Sequence, residues 1–158
     1  MPDVTPPVDL DKPVENPELV AQMIRARQSR TREDLQQTLQ MLRAAVFLQA
    51  TQFSHPDGGP AMTDGKIRAG TLIKLHTVLL PDDRSALAIF TDWASLRAAV
   101  GEDPAWSSLV ETGEGVFRTG LLPAYPGGVV VNPSGPEATF AMEPAQIAWM
   151  YANTRPRR

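Results

Sequence analysis

The first patterned part of the sequence contains two segments whose apolar residues recur at helical spacing. In the first segment, Asn16 is placed to cap a helix and Pro17 takes the first helical position. In the second, Thr31 starts a helix that ends near Arg43, after which residues 45–51 are typical of a strand. Leu35, Leu39, Leu42 and Val46 follow helical spacing, but the pattern changes near Ala44, so the helical stripe ends before Val46. The sequence therefore predicts two consecutive helices and then a strand.

Two strand-like segments in the middle of the chain flank the turn sequence Pro81-Asp82-Asp83-Arg84. These segments are residues 71–79 and residues 86–90, and their short connection predicts an antiparallel hairpin. Along the first strand, alternation puts Lys74 and His76 on a face that we expect to contact solvent. The opposite face carries Ile73, Leu75 and Leu79.

Three consecutive valines, residues 129–131, predict a buried strand because β-branched side chains suit a pleated surface. The sequence Asn132-Pro133-Ser134-Gly135 that follows is typical of a turn. Asparagine can hydrogen-bond its own backbone, proline fixes φ, and glycine tolerates the geometry at the end of the turn. A second strand comes after this turn, and a final helix opens at Pro144.

The remaining segments complete the predicted order of elements. Thr91 is placed to cap a helix that ends at Gly101, residues 54–70 are a loop or a long hairpin connection, and residues 102–127 show no clear regular element. The order favours an α+β fold with a mixed five-stranded sheet and helices packed mainly on one face. The chain divides into a flexible N-terminal tail, a single domain and a basic C-terminal tail, at residues 1–15, 16–153 and 154–158.

Composition and charge exclude several classes of site. The chain has no cysteine, which excludes disulfides, thiol nucleophiles and thiolate metal sites and fits a reducing cytoplasm. The formal net charge of −3 argues against a domain that binds nucleic acid over its whole surface. No apolar run approaches the roughly 20 residues that span a bilayer, and the N-terminus lacks the pattern of a signal peptide. We therefore expect a cytoplasmic protein that binds neither nucleic acid nor membrane.

His55 and His76 are the only histidines, and with Asp57 or Asp64 they could bind a divalent metal. Their spacing matches no known metal motif, and His55 lies among turn residues. The sequence contains no Gly-x-Ser-x-Gly elbow, no phosphate loop and no dinucleotide fingerprint. We therefore predict no catalytic residues, no metal and no cofactor.

Arg25, Arg27, Arg30 and Arg32 form the densest basic cluster of the chain. Such a cluster either binds nucleic acid or an acidic protein face, or is simply the solvated end of a helix. No aromatic residue interleaves with the arginines for base stacking, and we favour the solvated helix end.

Three motifs resemble those of the SseB N-terminal domain family. A helix ends in Ala44-Ala45-Val46-Phe47-Leu48, a strand ends in Ile89-Phe90-Thr91-Asp92 before another helix, and a strand and turn are formed by Val129-Val130-Val131-Asn132-Pro133-Ser134-Gly135-Pro136. The resemblance covers roughly residues 17–151. It implies a domain for which no catalytic residues are established and whose larger relatives carry a second, C-terminal domain.

Together these observations predict a non-catalytic module that binds an unidentified protein partner and forms homo-oligomers. The candidate partner or ligand surface consists of residues that the family topology would bring to the ends of neighbouring strands: Phe90, Thr91, Asp92, Asn132 and Pro133. Turn chemistry and helix capping explain the same residues without a ligand. Two alternatives stay open: a small-ligand sensor or enzyme with a pocket near Asn132, and an immunity-type or secretion-associated partner protein.

Overall fold

The computed structural model describes residues 14–63, 66–103, 105–134 and 139–154. The helices are α1 (Pro17–Ser29), α2 (Arg32–Ala44), α3 (Trp93–Val100), α4 (Gly113–Thr119) and α5 (Pro144–Asn153). The strands are β1 (Val46–Ser54), β2 (Met62–Thr63), β3 (Lys66–Ile67), β4 (Leu72–Leu75), β5 (Thr77–Leu79), β6 (Ser85–Ile89), β7 (Ser107–Thr112), β8 (Val129–Val131) and β9 (Phe140–Met142). The predicted tails lie outside the described residues up to residue 13 and from residue 155.

The strands form two main sheets and one small hairpin. The order of the first sheet is β4-β1-β7, with both pairs antiparallel. The order of the second is β5-β6-β8-β9, in which β6 and β8 run parallel and the other pairs are antiparallel. The small hairpin consists of β2 and β3. The predicted α+β class is therefore confirmed, and so is the antiparallel pairing of β5 with β6.

The prediction of a single five-stranded sheet is wrong, because the strand predicted over residues 71–79 belongs to both sheets. The N–H of His76 donates to the carbonyl of Ala50 in β1, whereas the carbonyl of His76 accepts from the N–H of Ala88 in β6. The strand therefore changes its partner from β1 to β6 at this residue. Leu48 of β1 and Phe90 after β6 also exchange two backbone hydrogen bonds, each 2.9 Å long. The two sheets are thus joined through their backbones at this point.

The two faces of the joined sheets bury two separate cores, as the alternation of side chains along a strand requires. The first core takes Phe47, Ile89 and Val131 from the strands and is covered by α1, α2, α4 and α5. The second core takes Leu48 and Phe90 from the opposite face and is covered by α3. Val14 is buried in this second core, although it was assigned to the N-terminal tail.

Residues 102–127 contain β7 and α4, which the sequence did not predict. β7 pairs with β1 from Val46↔Thr112 to Thr51↔Ser107, and α4 follows it directly. Glycines in this segment permit close packing. A Cβ atom on Gly113 would lie 2.1 Å from the carbonyl oxygen of Leu42, so only glycine lets α4 approach α2 this closely.

The predicted solvent-facing position of His76 is also wrong. Its ring stacks on Phe90 with a centroid distance of 6.3 Å and meets the edge of Trp106 at 5.1 Å. Burial, followed by the charge of Lys74, lowers the pKa of this imidazole. Of the three residues on the predicted apolar face of this strand, Leu75 packs against the first core, whereas Ile73 and Leu79 are exposed.

Candidate functional site

The predicted site is a corner at the carboxyl ends of the parallel strands β6 and β8. Asn132 follows β8 in the left-handed region, at φ 52°, which asparagine adopts more readily than most residues. Its Oδ1 accepts from the Thr91 N–H at 3.0 Å, and its Nδ2 donates to Thr91 Oγ1 at 2.9 Å. Asn132 therefore holds the end of β8 against the end of β6.

Asp92 extends this network to the start of α3. Thr91 Oγ1 donates to Asp92 Oδ2 at 2.8 Å, and Asp92 Oδ1 accepts from the Ser95 N–H at 2.8 Å. Partial burial acts to raise the pKa of Asp92, but the hydrogen bonds from Ser95 and Thr91 outweigh it, so the pKa lies below its ordinary value. The helix cap is thus Asp92, one residue after the predicted cap Thr91, because Thr91 is bound to Asn132.

Asn16 joins the same corner from the start of α1. Its side chain makes no cap hydrogen bond, in contrast to the prediction. Instead, its Nδ2 donates to the carbonyl of Val46 at 2.8 Å and to that of Thr91 at 2.7 Å. One amide group therefore connects α1 with the start of β1 and the end of β6.

The structure brings the predicted site residues together but leaves little of them accessible. Phe90 and Thr91 are fully buried, and Asn132 is 1% exposed. Only Asp92 and Pro133 are partly exposed. Their use as a partner or ligand surface stays a prediction, and the geometry gives the three buried residues a clear structural role.

The two histidines occupy unrelated environments. His55 Nδ1 lies 2.8 Å from Asp57 Oδ1, and Asp57 also binds Arg68 at 2.6 Å within the same loop. His76 lies in the second core. In the part of the chain that the structure describes, no three potential metal ligands cluster, and Asp64 lies outside that part.

A second polar cluster fastens the last helix to the domain. The Arg43 side chain, only 8% exposed, pairs with Glu114 of α4 at 2.7 Å and donates to the carbonyl and hydroxyl of Thr154. The Arg43 guanidinium also lies 4.7 Å from the centroid of the Tyr151 ring. Its hydrogen bonds lower the pKa of the Glu114 carboxyl. Thr154, assigned to the C-terminal tail, is therefore a buried part of the domain.

The sequence did not reveal an apolar cavity of about 270 Å³ between α2, β9 and α5. Leu39 is buried at its floor, whereas Leu35, one turn earlier on the same stripe, is 38% exposed at its wall. Trp149 of α5 forms the opposite wall and is 40% exposed. The full lining is Arg32, Leu35, Gln36, Leu39, Phe140, Met142, Gln146 and Trp149. The sequence feature that could have indicated this cavity is the leucine stripe of α2, because the stripe is longer than the part of it that the core buries.

The cavity continues along β9 into a basic end. This end shares Arg32, Leu35 and Phe140 with the cavity and adds Arg30 and Ala141 among its lining residues. Arg30 and Arg32 are exposed, and within the described residues neither forms an ion pair. The cavity and its basic end together are the α2–β9 groove.

These features define an α+β domain of two joined sheets, with a buried polar corner and an open groove that is apolar at one end and basic at the other. The chain belongs to the SseB protein N-terminal domain family, whose family model matches residues 19–149. This match confirms the resemblance that the sequence motifs indicated. The comparisons with curated proteins and with solved structures found no match. None of the helices in the described ranges is both long and apolar enough to cross a membrane.

Proposed function

We propose that the protein is a non-catalytic interaction module that binds a protein partner in the α2–β9 groove. The observation that carries this proposal is the cavity between Leu35 and Trp149, where two large apolar side chains remain exposed next to buried ones. A partner side chain inserted there would remove apolar surface from water, which favours association.

The chemistry of the groove supports binding rather than catalysis. The cavity wall offers two glutamines and Arg32 as its polar groups, and none of these is a usual general acid or base. The carboxylates of Asp92 and Glu114 lie elsewhere and are bound to groups that stabilise the fold. Homo-oligomerisation and the absence of catalysis stay predictions of this proposal.

The experiment is affinity capture of the tagged protein from its native host, compared between two tryptophan variants. Trp149→Ala removes a groove wall, whereas Trp93→Ala removes a tryptophan with the same 40% exposure on α3. We expect one stoichiometric partner with the wild type and with Trp93→Ala, and its loss with Trp149→Ala. Equal capture by both variants, or no partner with the folded wild type, would contradict the proposal.

A small apolar ligand is the second candidate, because the cavity of about 270 Å³ approaches the volume of small-molecule sites. A thermal-shift screen separates the two functions, since a ligand that binds only the folded state raises the melting temperature. Saturable stabilisation that disappears in Trp149→Ala would favour the ligand. This site differs from the predicted pocket near Asn132, whose side chain is buried.

A further inference from the structure

We propose that the partner contributes an extended segment that adds as a strand to β9, with an acidic side chain beside Arg30 and Arg32 and a large apolar side chain in the cavity. This inference rests on the proposed function and specifies the chemistry of the partner. It follows from three features of the groove: an open strand edge, two exposed cations and an adjoining apolar cavity.

The open edge follows from the hydrogen bonds of β8. The Gly128 carbonyl accepts from Leu87 of β6 at 2.8 Å. The Asn132 N–H donates to Ile89 of the same strand at 2.9 Å. Because backbone groups alternate in direction along a strand, Val130 also turns its N–H and C=O towards β6. The valines on either side of it therefore pair with β9.

Ala141 consequently turns its N–H and C=O away from the sheet. It lies opposite Val130, whereas Phe140 and Met142 lie opposite the two valines that bond to β9. Among the described residues, β9 is the last strand of the second sheet, and Ala141 is exposed and lines the basic end of the groove. β9 thus offers one donor and one acceptor to an added strand.

The charge of the groove selects an acidic segment. Arg30 follows the last residue of α1, Arg32 is the first residue of α2, and both line the basic end of the groove together with Ala141. Guanidinium groups bind carboxylates through paired, charge-assisted hydrogen bonds. A strand added to β9 would therefore gain most from an aspartate or glutamate at this end.

The apolar side chain belongs two residues away from the acidic one. Side chains on the same face of a strand recur every second residue, about 7 Å apart. Arg32 lines both the basic end and the cavity, so the two regions adjoin directly. A carboxylate and an aromatic or leucine side chain separated by one residue would occupy both.

The test uses fluorescently labelled synthetic peptides of threonine and valine that carry one Glu-x-Phe or one Phe-x-Glu unit. We expect one of the two orders to bind the wild-type protein, and to bind about tenfold more weakly when its glutamate becomes lysine. Arg32→Glu should abolish this preference, because its carboxylate offsets the charge of Arg30, and an acidic residue in the first turn of α2 suits the helix dipole. Arg97→Glu, on α3, is the control and should leave the preference unchanged.

Strand addition is tested separately from charge. N-methylation of the peptide residues on either side of the phenylalanine removes backbone hydrogen-bond donors, and we expect binding to fall about tenfold. Ala141→Pro removes the outward N–H without touching the bonds to β8, and should have the same effect. Slower hydrogen exchange of the Ala141 amide in the bound wild type provides a readout that needs no variant.

The outcomes distinguish this inference from the proposed function. If no peptide binds while the captured partner still depends on Trp149, the groove is the interface but the segment is not an acidic strand. If peptides bind without sensitivity to charge or to N-methylation, strand addition is overturned. If capture does not depend on Trp149 either, the proposed function fails as well.

Discussion

Asn132 shows how a single side chain can organise two strand ends and a helix start. Its amide binds Thr91 through both of its polar atoms, and its backbone takes a left-handed conformation. The turn sequence made this residue conspicuous, but it could not tell a binding residue from a structural one. That distinction depends on Thr91, which is distant in sequence and adjacent only after β6 and β8 have paired.

Replacing Asn132 by alanine should therefore destabilise the fold. The change leaves the Thr91 N–H buried without its acceptor and places alanine at positive φ, which together should cost about 2–4 kcal/mol. The free energy of unfolding, measured by urea denaturation, checks this expectation. Asn132→Gly, which tolerates the backbone angle, should cost less than alanine. A loss no greater for alanine than for glycine would contradict this account of Asn132.

His76 should make stability depend on pH near neutrality. The lowered pKa of His76 means that the folded state disfavours the charged imidazole. Below pH 6.5, the ordinary pKa of histidine, the unfolded chain therefore binds the proton more readily than the folded one. The neutral ring's contribution to stability is fully present above that pH and is lost as pH falls towards the folded-state pKa. Denaturation midpoints at about pH 7.5 and pH 5.5 measure it.

The two histidine variants give a matched comparison for this effect. His76→Phe keeps an aromatic ring against Phe90 and Trp106 and should flatten the pH dependence. His55→Gln changes a loop histidine and should retain the dependence seen in the wild type. Identical pH profiles for wild type and His76→Phe would contradict the role of His76.

Among the elements, α5 depends on polar contacts as well as on its apolar face. Ile147 and Met150 enter the first core, while Arg43 of α2 and Glu114 of α4 fasten the end of the helix. The Pro144 start and the apolar face of α5 could be read from local sequence. The bond from Arg43 to Thr154 spans 111 residues, and no local pattern contains it.

Arg43→Ala should cost about 2–3 kcal/mol, because it removes the buried donor that binds both the partly buried Glu114 carboxylate and the Thr154 carbonyl. Arg118→Ala is the matched control, since Arg118 pairs with the same Glu114 but is 73% exposed. An exposed pair of this kind should contribute less than about 1 kcal/mol. Chemical denaturation of both variants gives the comparison. Equal losses would contradict the structural role of Arg43.

At the scale of the whole molecule, the elements were more predictable than their arrangement. Regular periodicity identified α1, α2 and α5, and turn residues identified the β5–β6 hairpin and the β8–β9 pair. The division into two sheets depends on one residue, His76, where the strand changes partners. Local alternation continues smoothly through His76, so the sequence predicted one strand and one sheet.

The corner at Asn132 could be predicted from the sequence, whereas the α2–β9 groove could not. The corner was marked by turn and cap residues whose types are informative by themselves. The α2–β9 groove is formed by ordinary leucine, phenylalanine and tryptophan side chains, which belong equally well to a core. Whether such residues are covered is decided by the separation of α2, β9 and α5, which no local pattern records.

Hydrogen exchange of the protein alone and bound to its captured partner tests the central claim most directly. Binding in the α2–β9 groove should slow exchange in residues 32–39 and 140–149, which form its walls. The amides around Asp92 and Pro133 should exchange at the same rate in both states. Protection confined to that corner, with unchanged exchange in the groove, would contradict the account.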